Sequence, residues 1–392
     1  MRILVLADNY FPSRAACAVR MKVFAEMLIE RGHDVHVLAS NTSLDASFAG
    51  YEQPEYVHFF PVEPMGEKTA LNRFKNNFSI SNSSVSGAKP LGQFDVVIAT
   101  SPPLFISLGA IKVAKNANAK LVFDVRDIWP DVAYEMDSFA PGSLYGRIFT
   151  WMANKAYKKA TLVTTVSPGK VEKLKGRIKG DKSKVVLVPN GLDVSFVEQA
   201  TDQEVVRQFR LDEGPICSYV GNIGLAQGLG TIFELAKHRP DVRFLVFGKG
   251  AEKNQLEARA KEENLSNLEF CGTLDAQGAF TVLSYSSVSF APLVSSNLKD
   301  SIPTKIFEAI GCGCPVLLAA AGDSVDLLNE MGLGASAAPE DIEGLKRALD
   351  SLIDRPYSEE QRKAAAGLAK EKYSRQFAAT CFEEMLSKAV TK

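Results

Sequence analysis

Apolar residues fall into short unbroken runs, separated by longer stretches in which they recur every three or four positions. Ile3–Ala7 is a run of strand length, and a strand without polar alternation is one buried on both faces. Cys17–Arg31 has helical spacing and stops at Gly32, and Val35–Ala39 is apolar again. Strand, helix and strand in so short a span form a βαβ unit, which implies a parallel sheet. Strand-like runs recur at DVVIAT (95–100), KLVFDV (120–125), LVTTVS (162–167) and KVVLVP (184–189). The rhythm restarts near residue 215 with ICSYVG, VRFLVFG (242–248), LEFCG (268–272), VSFAPL (288–293) and CPVLLAA (314–320). The pattern predicts two doubly wound α/β domains in tandem, 1–195 and 196–392. The polar segment EQATDQEVVRQ lies at the joint, and the last helix is free to pack back on the first domain.

Two segments break the rhythm. SISNSSVSGAKP (79–90) is Ser-rich without strand or helix period and reads as a mobile surface loop, either a tolerated insertion or an acceptor-side flap. Residues 155–184 carry ten Lys/Arg and two acids, a local +8 in a chain of net charge −1. That stretch is either a solvated helix face and loop or a patch for an anionic membrane surface, at ~1 kcal/mol per basic residue.

The small net charge provides no field pointing to nucleic acid. With 46% apolar and 23% charged residues, the composition is that of a globular protein, and 392 residues suffice for two cores. Six scattered cysteines without a C-x-x-C fit a reducing compartment. Cys312 and Cys314 read as small buried thiols rather than metal or redox groups. No run approaches the ~18–20 apolar residues of a membrane span. The apolar part of the opening MRILVLADNY is too short for a signal peptide. The expected location is cytoplasmic, at most peripheral on the inner face of the plasma membrane.

Candidate chemistry begins with GNIGLAQGLG (221–230), between a strand and a helix. Its glycines would let a phosphate approach backbone amides, yet the stretch contains no Lys, Arg or His. A countercharge is available in KDSIPTKIFEAIGCGCP (299–315). Ser301 is a candidate cap, and Pro303 suits the first turn of a helix running to about Ile310. The helix start offers free N–H groups and the positive dipole end, and Lys305 adds a full charge. Asp300 and Glu308 are carboxylates suited to accept hydrogen bonds from sugar hydroxyls. Together these point to a phosphorylated, hydroxyl-rich ligand. An exposed helix with an i,i+3 Lys305–Glu308 pair is the plainer alternative. His33, His36, His58 and His238 sit in strand, turn or helix-end settings and read as structural. The chain contains no Asp-x-Asp, so no bound metal is expected.

An acid, seven residues, Glu-Ala and a small-residue turn with Pro-Val resemble the E-x(7)-E motif of the family 4 retaining glycosyltransferases. The resemblance runs nearly end to end, through RGHDVHVLAS, SPPLF (101–105), VRDIWPD (125–131), TTVSPG (164–169), VPNGLD (188–193) and GNIGLAQGLGTIFELA. The combination of SPP, RDIWP and GNIGLAQGL resembles a subgroup that builds O-antigen, capsule and exopolysaccharide, among them fucosamine transferases and colanic-acid-type enzymes. The resemblance implies the GT-B fold, two Rossmann-like domains facing a central cleft, with a nucleotide-sugar bound mostly by the second. It implies transfer to a saccharide acceptor, in this subgroup a lipid-diphosphate-linked one, and it favours UDP. No cofactor is implied. Retention in this family is thought to need no dedicated protein base, because the leaving diphosphate can take the acceptor proton.

Residue by residue, the resemblance places Glu308 at the ribose hydroxyls and Asp300 near the donor sugar, one methylene shorter than the usual glutamate. Lys305 falls near the diphosphate. Gly272 and Thr273 fall where backbone meets the base, and Gly248 ends the preceding strand. Gly221, Asn222, Gln227, Gly228, Ser301, Pro303 and Thr304 complete the donor-binding set. Arg126 and Asp127 would face the sugar or acceptor, and Ser13, Arg14, Ala15 and Ala16 lie on the acceptor side.

Three departures stand out. Ala15-Ala16 replaces a common Gly-Gly, and a methyl there limits backbone approach. Arg126-Asp127 stands where many members have His-Asp. Asn222 and Gln227 stand where an Arg and a Lys usually meet the diphosphate. An NAD-linked dehydrogenase would need G-x-G-x-x-G after the first strand, which is missing; GLGASA (332–337) fits only permissively and in the wrong context. A GT-B sugar-nucleotide epimerase, a phosphorylase and a non-catalytic nucleotide-sugar sensor remain as alternatives, and the acid pair with its lysine weighs against the sensor.

Overall fold

The computed structural model describes residues 1–13, 16–44, 52–62, 70–135 and 138–390. The chain divides into two compact units: Met1–Asn190 with Ala378–Lys392, and Gly191–Phe377.

Unit 1 is built on strands β1 (Arg2–Ala7), β2 (Asp34–Ser40), β3 (Val57–Phe60), β4 (Val96–Ser101), β5 (Lys120–Val125), β6 (Leu162–Thr165) and β7 (Val185–Leu187). All pair in parallel, in the order β3-β2-β1-β4-β5-β6-β7. Ile3, Val5, Val37, Ile98 and Val122 face one layer, which Phe24 and the returning C-terminal helix complete. Phe382 of that helix stacks on Phe24 with centroids 4.9 Å apart. Leu4, Leu6, Val97 and Phe123 face the opposite layer.

The Ser-rich segment is a correction to the sequence reading. It is no loop; it forms the second half of the helix Ala70–Ala88. Ile80, Ser81, Ser84, Val85 and Ala88 are buried at helical spacing. Ser84 Oγ donates to the Ser81 carbonyl at 3.0 Å, so its polarity is satisfied inside its own helix. A Cβ at Gly109 would lie 2.2 Å from Ser84 Oγ. The serines are thus the small residues that let this helix approach the helix Ile106–Ala117. Strand β3 was not foreseen either: it is only four residues long and lies at the sheet edge.

Unit 2 repeats the plan with β8 (Ile216–Val220), β9 (Arg243–Phe247), β10 (Leu268–Gly272), β11 (Val288–Pro292), β12 (Val316–Ala319) and β13 (Gly334–Ala337). Their order is β10-β9-β8-β11-β12-β13, again all parallel. Strand β13, Gly-Ala-Ser-Ala, carries no bulky side chain and so left no strand signal. In both units the order reverses direction once, between β1 and β4 and between β8 and β11. Ligands of open α/β sheets bind beyond the carboxyl ends of the strands flanking such a point. In unit 2 the loops leaving those two strands are GNIGLAQGLG and the segment that carries Asp300.

Candidate functional site

Strands β8, β9 and β10 each end in a glycine at positive φ: Gly221 at 152°, Gly248 at 150° and Gly272 at 87°. The three are chained through backbone. Gly221 N–H donates to Phe247 O at 3.0 Å, and Gly248 N–H donates to Gly272 O at 2.6 Å. A Cβ on Gly248 would sit 1.8 Å from the Gly221 carbonyl oxygen, so only glycine fits. Gly228, at φ 60°, presses against the backbone of Val294, where a Cβ would come within 2.6 Å. The glycine loop is thereby pinned to the loop after β11, with Val294 N–H donating to Ala226 O at 3.0 Å. Asn222 is exposed, and its Nδ2 donates to Gln227 Oε1 at 3.4 Å.

The helix after β11 spans Thr304–Gly311. Pro303 occupies the cap position with φ −63° and ψ 135°, and no side chain caps the helix. This corrects the assignment of Ser301 as cap and of Pro303 to the first turn. Ser301 is held elsewhere, its carbonyl accepting from Ser324 Oγ. With no capping side chain, the first N–H groups of the helix keep their capacity to bind a ligand. Asp300 is buried on the preceding loop, which Asp323 N–H anchors through Lys299 O at 2.8 Å.

Lys305 leans back from this helix over the end of β8. Its Nζ lies 3.9 Å from the centroid of the Tyr219 ring, and a Cβ on Gly221 would touch it at 3.4 Å. The amine is buried and has no hydrogen-bond partner. Burial pushes its pKa down to about 7, against the pull of Glu308. The Tyr219 hydroxyl donates to the Asn222 carbonyl, which fixes the ring under the amine. Glu308 is 30% exposed and faces Arg375, whose guanidinium lies 3.9 Å away. Arg375 is held in turn by Asp193 at 3.0 Å. Burial raises the Glu308 pKa, and the Arg375 and Lys305 charges oppose that rise. The structure thus sets a lysine beside a glycine loop that has no cation of its own.

Gly221, Asn222, Gln227, Gly248, Lys305 and Glu308 thus gather at one end of the unit 2 sheet, with Gly272 beside them. Thr273 is exposed just past β10. Tyr219, Arg375 and Asp193 were not singled out from sequence. Asp193 lay inside VPNGLD, but nothing local marked Arg375, which comes 182 residues later.

Arg126, Asp127 and Ser13 lie in unit 1, beyond the carboxyl ends of its strands. Arg126 Nε donates to Thr100 Oγ1 at 3.1 Å and its Nη2 to Pro102 O at 3.0 Å, so its orientation is set by its own unit. Asp127 is half-buried, and Ser13 N–H closes a turn onto Tyr10 O at 3.0 Å. Arg14 and Ala15 lie outside the described residues, and Ala16 opens the helix Ala16–Glu30. Asp8, at the end of β1, was missed; burial raises its pKa while Ser40 and Arg126 lower it. A polar residue directly after a buried strand at the switch point was the available signal. The histidines have structural partners: His33 the N-terminus, His36 and His58 each other, His238 Asp350. Cys314 is buried and Cys312 half-buried; both are free thiols, with burial raising both pKa values.

Comparison with known proteins gives this geometry a lineage. The description "Glycosyltransferase Family 4" matches residues 18–196, and "Glycosyl transferases group 1" matches residues 202–371. The chain belongs to the family 4 glycosyltransferases. A curated relative, the putative colanic acid biosynthesis glycosyl transferase WcaI of Escherichia coli, is 24% identical over 96% of this chain and 98% of its own. Among solved structures, sucrose-phosphate synthase from Thermosynechococcus elongatus superposes with a TM-score of 0.80 at 17% identity, covering 99% of both chains. Anabaena HepE in complex with UDP-glucose superposes with a TM-score of 0.75 at 17% identity, covering 99% of this chain and 100% of that one. These likenesses establish the GT-B fold for this glycosyltransferase.

Proposed function

We propose that this glycosyltransferase transfers a sugar from a nucleotide-sugar, UDP-linked, to a saccharide acceptor carried on a lipid diphosphate, with retention at the anomeric carbon and no bound metal. The pathway it would serve is surface polysaccharide assembly, a reading supported by the WcaI relative, which is named for colanic acid biosynthesis. The observation that carries the reading is Lys305: a buried amine without a hydrogen-bond partner, between a glycine-ended strand and an uncapped helix start. Such an amine suits a diphosphate, which supplies the negative charge and acceptor oxygens it lacks. The UDP-glucose complex of HepE supports a donor of this class.

In the proposed reaction, the acceptor oxygen bonds to the anomeric carbon as the bond from that carbon to the diphosphate oxygen breaks. The acceptor proton passes to the leaving diphosphate on the same face. Lys305 and the helix start stabilise the departing charge, Glu308 accepts from the ribose hydroxyls, and Asp300 accepts from the sugar. Gly272 and Thr273 lie against the base, while Ser301, Pro303 and Thr304 border the phosphates. On the acceptor side, Arg126, Asp127, Ser13, Arg14, Ala15 and Ala16 are the proposed contacts. The test is release of nucleoside diphosphate from a panel of UDP-, GDP- and ADP-sugars incubated with lipid-linked acceptors. UDP release that depends on acceptor supports the proposal; acceptor-independent epimerisation of the donor, or turnover with no UDP-sugar at all, overturns it.

A further inference from the structure

The basic stretch 155–184 is not one open surface. Lys173 pairs with Glu135 at 2.8 Å, Lys175 with Glu172 at 3.0 Å, and Arg177 with Asp131. Lys184 Nζ donates to the carbonyls of Tyr157 and Ala160 at 2.7 and 3.0 Å. Lys170 is buried. Lys179 and Lys182 are exposed on the loop before β7, and the rest of the charge lies on the preceding helix, Leu144–Lys159, whose sequence LYGRIFTWMANKAYKK holds four basic residues and no acid.

One side of this helix is core: Gly146, Met152, Ala153, Ala156 and Tyr157 are buried. The other side carries Leu144, Arg147, Trp151, Lys155 and Lys158 at spacings of three and four residues, all exposed. Leu144 is 72% and Trp151 56% exposed, and Tyr145 beside them is 42% exposed. The Lys155 ammonium sits over the Trp151 ring, 4.7 Å from its centroid. Next to this face opens a concavity of about 420 Å³ lined by Tyr134, Gly142, Gly146, Arg147, Thr150 and Trp151.

We propose that this helix face docks on an anionic phospholipid bilayer, lying in the plane of the headgroups. Large apolar and aromatic side chains interleaved with cations, on a helix without acids, match an interface whose outer layer is anionic and whose inner layer is apolar. Trp and Tyr favour the headgroup level, and the lysine stems reach outward from it. A protein partner fits less well, because protein interfaces are depleted in lysine. The concavity beside Arg147 leaves room for a headgroup phosphate. None of the described helices is long and apolar enough to span a membrane, so the contact is peripheral. Nothing in this surface depends on the chemistry of unit 2.

The test is co-sedimentation of the full chain with neutral phosphatidylcholine vesicles and with vesicles containing about 30% phosphatidylglycerol, at low and high salt. Binding is expected only to the anionic vesicles and is expected to weaken with salt. The pair K155Q/K158Q should lower the partition coefficient about thirty-fold, from roughly five-fold per basic residue removed. The pair L144A/W151A should lower it at least about ten-fold. The pair K173Q/K175Q, whose lysines are already paired, should change it by less than about five-fold. In a W129F background, Trp151 emission should shift to the blue on addition of anionic vesicles. Melting temperatures unchanged in the face variants would show that folding is not what is lost. Equal binding to neutral vesicles, or binding that survives both face variants, overturns the proposal. So does dimerisation in light scattering that L144A/W151A abolishes without any vesicle binding, which would make a second copy the occupant.

Discussion

Replacing Lys305 by methionine separates fold from function in a way few substitutions do. The side chain keeps its length and apolar contact with Tyr219 but loses a buried amine that has no hydrogen-bond partner. An unsatisfied buried polar group costs about 1–3 kcal/mol, so the variant should gain roughly that much stability. At 2–4 °C per kcal/mol for a domain of this size, unit 2 should melt about 2–12 °C higher. The gain has a definite pH dependence. Folded Lys305 sheds its proton near pH 7, whereas an unfolded lysine keeps it to about 10.5. Between those values the unfolded chain binds more protons, so wild-type stability from this group rises with pH. The advantage of Lys305→Met is therefore largest below pH 7 and fades toward pH 10.5. Nucleotide binding should move the other way, weakening by ~2–4 kcal/mol, roughly thirty- to a thousand-fold. Scanning fluorimetry from pH 6 to 10, paired with calorimetric titration of UDP, reads both effects. A variant that melts lower than wild type yet binds UDP equally well would rule out both the buried-amine cost and the diphosphate contact.

Glu308→Gln keeps the side-chain shape but removes the charge facing Arg375; donor KM should rise about ten-fold or more while the melting temperature moves by less than about 3 °C. Gly248→Ala would drive a Cβ to 1.8 Å from the Gly221 carbonyl at φ 150°, so urea titration should show at least about 3 kcal/mol of destabilisation. EDTA should leave turnover unchanged, since the proposed chemistry places positive charge through Lys305 and the helix start; a strict requirement for added Mg²⁺ in a transfer assay would contradict it.

Strands β1, β2, β4, β5 and β8 to β12 were legible because buried parallel strands read as unbroken apolar runs. What escaped was structure made from small or long-range partners. The helix Ala70–Ala88 was hidden because its inward face is built from Ser81 and Ser84, which hydropathy counts as polar. Strand β13 was hidden because Gly-Ala-Ser-Ala has no side chain to signal burial. At the proposed donor site, Lys305 and Glu308 announced themselves by their place on one helix. Their supports did not: Tyr219 reads as an ordinary strand residue, and Arg375 reaches Asp193 and Glu308 only through the tertiary fold. The charge excess of 155–184 was legible as a count, but not how it divides: Glu135 and Asp131, distant in sequence, pair with Lys173 and Arg177, whereas Lys155 and Lys158 stay exposed.

The most direct measurement is a crystal structure of the protein with UDP or a UDP-sugar bound. Diphosphate oxygens are expected within hydrogen-bond distance of Lys305 Nζ, against Gly221 and the start of the helix Thr304–Gly311, with the ribose hydroxyls on Glu308. A nucleotide bound elsewhere, with Lys305 still resting unpartnered on the Tyr219 ring, would exclude Lys305 as the diphosphate ligand.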